Sequence, residues 1–131
     1  MERAEFEKLV DEAMASLPGK FRDLIRNVAV LIEDFPSRET RLDMGIPSRY
    51  DLLGLYHGVP FTKRDAGFGN APPDVILLFQ KAIESHCLTD EEVRDCVRET
   101  VIHEVGHYFG FDDDELRRIE LESRRPKNEK E

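Results

Sequence analysis

One stretch near the C-terminus constrains the chain more than any other, because both of its ends are marked and a motif lies between them. Thr89-Asp90-Glu91-Glu92 has the pattern of a capping box, with a threonine at the N-cap and a glutamate three residues on. Gly110, after the last of the apolar positions at helical spacing, is suited to the left-handed conformation that stops a helix. The spacing predicts a helix over 89–109. Inside it lies His103-Glu104-Val105-Gly106-His107, an HExxH sequence. At 100° per residue, with His103 at zero, His107 falls near 40° and Glu104 near 100°. Val97, Val101, Val105 and Tyr108 gather between about 120° and 200°, and Ile102 and Phe109 carry the apolar surface on to about 260°. Such a helix packs one broad side into a core and turns a separate side, bearing the motif, toward a cleft.

The motif side suits metal chemistry. Two imidazoles one turn apart can chelate a single zinc ion, and the neighbouring glutamate is placed to hold a water beside it. The bland alternative is a pair of solvated or core-satisfied histidines. The helical context, the distinct face and the continuation HYFGFDD favour the metal reading. Catalytic zinc takes three protein ligands plus water, so a third is expected. Gly110 can redirect the chain and bring Asp113 back across the metal, completing His103, His107 and Asp113. Asp112, Asp114 and Glu115 are the alternatives. Asp112-x-x-Glu115 also reads as an acidic cap for a last helix over about 113–123.

Upstream, apolar residues at helical spacing predict a helix over 2–17, ended by Pro18-Gly19. A further element begins at Phe21. Strands are expected over 27–35, 52–56 and 75–79; the continuous apolar run VILLF of the last suits burial on both faces. Residues 36–49 and 62–73 read as loops, and 81–87 as a helical turn. The order of elements predicts an α/β or α+β fold, with a small sheet over the motif helix. A single domain is expected over 1–123, followed by a charged, disordered tail over 124–131.

The chain's 131 residues suffice for a core without disulfides. Its net charge of −9 argues against non-specific nucleic-acid or anionic-membrane binding. Ten acids against two bases between 89 and 115 account for most of that excess. Three of them, Asp90 to Glu92, suit a helix N-terminus; the others suggest a setting for a cation. No signal peptide or membrane span is evident, and two cysteines without a CxxC pair suggest no oxidising compartment. A cytoplasmic protein is expected. His86, Cys87 and Cys96 read as structural, with Cys96 small and buried on the motif face. His57, Tyr50, Tyr56 and Arg49 could polarise a carbonyl, but packing or surface exposure suits them better.

The segments HEVGHYFGFDDDEL, LLGLYHGVPFTKR and PPDVILLFQKAIE together resemble a small bacterial zincin-like family, the minimal zincins, with an HExxHxxGxxD signature. The likeness covers roughly residues 50–116, and the N-terminal helix and strand in outline. It implies an α+β zincin core, a small twisted sheet packed on an active-site helix, and a zinc metallopeptidase activity. His103, Glu104 and His107 match the motif residue for residue. Asp113 falls at the acidic position after the glycine, where metzincin-type enzymes carry histidine. The expected function is therefore peptide hydrolysis, with Zn2+ as cofactor, a peptide or protein substrate, and Glu104 as general base. A non-catalytic metal- or peptide-binding module with the same site is the alternative.

Overall fold

The computed structural model describes residues 1–24, 28–58, 74–111, 114, 115, 117 and 118. The expected loop over 62–73, the tail over 124–131, and Asp112 and Asp113 lie outside them. The last helix is described in part, residues 114–115 and 117–118 being helical. No helix among the described residues is long and apolar enough to cross a membrane.

The architecture is α+β. Helix α1 (Arg3–Ala15) is followed by the short α2 (Gly19–Leu24), strand β1 (Val28–Glu33), α3 (Arg38–Met44), β2 (Gly54–His57), β3 (Asp74–Phe79), α4 (Gln80–Glu84) and α5 (Asp90–Phe109). The three strands form one mixed sheet in the order β1-β3-β2. β3 pairs parallel to β1, with Ile76 opposite Val30, and antiparallel to β2, with Leu78 opposite Gly54. The apolar run therefore occupies the centre of the sheet, where β-branched and aliphatic residues fit best.

Side chains alternate across β3, and so do its surroundings. Ile76 and Leu78 point to one face and are wholly buried. They meet Phe6, Leu9, Val10 and Ala13 of α1, and Val97, Val101, Ile102 and Val105 of α5. Two helices thus cover this face. The opposite face is covered less completely than the apolar run suggested. Phe79, Leu52 and Ala82 form a smaller cluster there, with Phe35, Ile46, Leu55 and Leu77 packed at its edge. Val75 and Leu77 are only half-buried, and Leu31 is 49% exposed. The cover on that side is a connection with a short helix, which cannot bury a whole sheet face.

That connection corrects one expectation. Residues 36–49 were predicted as loop, yet α3 lies within them. Ser37 caps its start by accepting a hydrogen bond from the Thr40 backbone at 3.1 Å. Gly45 ends it in the left-handed region, at φ 69°. No residue of α3 is buried, so the segment shows no apolar periodicity to read.

Arg3 ties the N-terminal helix to the sheet. Its guanidinium donates to Gln80 Oε1 at 2.6 Å, to the Ile32 carbonyl at 3.0 Å and to Asp34 Oδ1 at 2.7 Å. The side chain thus joins α1, the end of β1 and the start of α4.

Candidate active site on the HExxH helix

Local chemistry sets both ends of α5. Thr89 is extended and its side chain accepts from the Glu92 backbone at 3.1 Å, while Glu92 reaches back to the Leu88 amide at 2.7 Å. These bonds satisfy amides that a helix start leaves unpaired. At the other end Gly110 takes φ 76° and ψ 25°. Its amide donates to the His107 carbonyl, and the Phe111 amide donates to Gly106 at 3.0 Å. This is the paired-bond ending that a left-handed glycine permits. Phe21 packs against both Phe109 and Phe111, each at 5.3 Å between ring centres, and anchors the turn.

Between these ends the helix divides its faces as the wheel predicts. Val97, Val101, Ile102, Val105 and Tyr108 enter the core. His103 is half-buried and His107 exposed. Glu104 sits at the boundary of the two faces and is 7% exposed. Its Oε1 lies 3.3 Å from His107 Nδ1. With the ring neutral, Nδ1–H donates to the carboxylate, and the Nε2 lone pair remains for a metal.

The imidazole rings of His103 and His107 have centres 5.6 Å apart. Two imidazoles bound tetrahedrally, each at about 2.0–2.1 Å, place their ring centres roughly 5 Å apart. The separation of the ring centres is thus close to that of two imidazoles on one zinc ion. Among the described residues no group of three His, Cys, Asp or Glu side chains converges to hold a metal ion. Asp114 and Glu115, two of the alternative third ligands, are exposed and join no such group.

A cleft of about 380 Å³ opens beside the motif. Leu52, Leu53 and Gly54 form its strand side, and Glu99, Thr100, His103 and Glu104 its helix side. The acids of α5 contribute little to it. Asp90, Glu91 and Glu92 are exposed at the helix start, and Asp95 bonds Arg98 at 2.8 Å. Of the acids on α5 only Glu99 and Glu104 line the cleft.

Residues considered for auxiliary roles sit elsewhere. Arg49 stacks over the Phe35 ring at 4.2 Å, and Tyr50 meets the same ring edge-on at 5.2 Å. Tyr56 packs edge-to-face on Tyr108 at 5.7 Å, and His57 is exposed at the end of β2. His86 bonds the Tyr50 carbonyl through Nε2 at 2.8 Å. Cys96 departs from its expected burial: it is half-buried and lines the cleft. Cys87 lies near it, its own thiol donating to the Ile83 carbonyl at 3.3 Å. Burial, and then the neighbouring Cys87, push Cys96 up to about 11. Burial raises Cys87 as well.

A helix carrying HExxH beneath a small mixed sheet, with its glutamate in a cleft, is the arrangement of a zinc-dependent peptidase. The chain belongs to the zincin-like metallopeptidase family, whose model matches residues 25–123. Comparison with curated proteins gave no match.

Proposed function

We propose that this protein is a small zinc-dependent peptidase in which His103, His107 and Asp113 hold the metal and Glu104 is the general base. One observation carries the reading. Two imidazoles one turn apart, their ring centres 5.6 Å from each other, share a helix with a carboxylate that the fold buries at the edge of a cleft. Zinc bound there supplies Lewis acidity, acidifying water and polarising a carbonyl. Glu104 takes a proton from the attacking water at its carboxylate, then delivers it to the leaving amine. Asp113 as third ligand is supported by the left-handed turn at Gly110, which redirects the chain three residues before it.

The substrate is a peptide or protein segment lying in the cleft between β2 and α5. Glu99 and Glu104 give that cleft a negative character, which favours substrates with basic side chains near the cleaved bond.

The test has two arms. Protein purified without chelator should carry near-equimolar zinc, and His103→Ala should lose it. A peptide library screened by mass spectrometry should show cleavage that a chelator abolishes. Zinc without turnover would leave a metal- or peptide-binding module; no zinc after supplementation would remove the whole reading. Asp113→Ala should weaken zinc binding strongly, whereas Asp112→Ala and Asp114→Ala should leave it largely intact.

A further inference from the structure

Gly54 is the first residue of β2 and one of three strand-side residues of the cleft. It is buried, and it is not among the glycines with positive φ, which are Gly45, Gly58 and Gly110. Its backbone therefore accepts any residue, and only the missing side chain distinguishes it. A Cβ built there would lie 2.7 Å from Thr100 Cγ2, 3.2 Å from the Leu77 carbonyl oxygen and 3.4 Å from Glu104 Cγ. Carbon atoms pack comfortably at about 3.5–4.0 Å, so the first of these contacts is a clash of roughly 1 Å.

Thr100 cannot easily turn its methyl away. Its hydroxyl donates to the Cys96 carbonyl one turn earlier, at 2.8 Å, and this holds the rotamer. The strand cannot easily retreat either, because β2 is paired with β3 through Gly54 opposite Leu78. A side chain at position 54 must therefore push α5 and β2 apart. The same helix carries Glu104 one turn beyond Thr100, with its Cγ against the same glycine.

We propose that Gly54 is a positioning residue: its contact with Thr100 sets the width of the cleft, and so the reach from Glu104 to a substrate held against β2. This rests on the peptidase reading above. His103 and His107 both ride on α5, so widening the cleft leaves the metal pair intact. What changes is the distance between the helix side, which holds the chemistry, and the strand side, which holds the substrate. A misplacement of about 1 Å can cost on the order of 10²-fold in rate.

The test is a cycle of four proteins: wild type, Gly54→Ala, Thr100→Ser and the double variant. Serine removes Cγ2 and keeps the hydroxyl that bonds Cys96. On a peptide cleaved by the wild type, Gly54→Ala should lower kcat by about 10²-fold and change KM by no more than a few-fold. Its zinc affinity, measured by competition with a chromogenic chelator, should stay within a few-fold of wild type. Adding Thr100→Ser should restore at least ten-fold of the lost kcat. Unchanged turnover in Gly54→Ala, or a double variant as slow as the single, overturns the proposal. If Gly54→Ala alone does not fold, recovery of a folded, active chain by Thr100→Ser supports the contact, and failure to recover overturns it. If the wild type cleaves nothing, the peptidase reading falls, and crystal structures of the variants decide the positioning claim. Gly54→Ala should separate β2 from α5 at the level of Thr100, and the double variant should close the gap. An unchanged separation overturns it.

Discussion

Glu104 is the only acid of α5 that the fold buries, and it pays for that place with no loss of partners, since His107 lies beside it. Glu104→Gln preserves its shape but cannot accept a proton. The variant should keep its zinc and lose peptide hydrolysis by at least about 10²-fold. Zinc analysis and turnover on one peptide check both halves. A second residue-scale prediction concerns Cys96, whose ordinary value of 9.0 burial raises to about 11. Between those values the unfolded thiol loses its proton while the folded one keeps it. Stability is therefore undiminished by this group below about pH 9 and falls as pH rises toward 11. Urea unfolding of wild type and Cys96→Ala should diverge over that window, with the wild type losing more. At this scale the sequence was partly legible. The division of α5 into a buried apolar side and a side carrying His103 and His107 was readable from the spacing alone. The meeting of Cys87 with Cys96 was not, because it depends on how the connection from α4 folds back onto α5, which no periodicity reports.

Among the elements, α5 was legible from end to end because each boundary has its own chemistry. Thr89→Ala should cost about 0.5–2 kcal/mol in denaturant unfolding, the usual loss for an N-cap. Gly110→Ala should cost about 1 kcal/mol, because a Cβ is disfavoured at its positive φ. It should also weaken zinc binding, since the turn steers the segment proposed to hold the third ligand; chelator competition reads this directly. The strand expected over 75–79 was equally plain as a continuous apolar run. The short helix α3 was not. Its signals, Ser37 before it and Gly45 after it, were present, but a helix that buries nothing leaves no pattern between its caps. The same weakness left the outer sheet face thinly covered, a property of packing that the VILLF run could not reveal.

At the scale of the whole molecule, the family match begins at residue 25, yet α1 lies before it and belongs to the same core. Phe6 is fully buried between α1, α5 and the sheet. Phe6→Ala should destabilise the protein by about 3–5 kcal/mol, more than either helix-end variant, in the same urea experiment. The periodicity over 2–17 announced this helix, but its partner could be known only once both helices were seen on one sheet face. The helix face of the cleft has a consequence for redesign. His103, Glu104 and His107 travel together on one rigid rod, whereas Leu52 and Leu53 belong to the chain leading into a separate strand. In the proposed peptidase the groups that move the proton and the side chains that flank the substrate therefore belong to different pieces of backbone. On the proposed peptidase reading, substrate preference would be open to change at positions 52 and 53 with the proton-transfer residues left untouched, a starting point for proteases of altered preference.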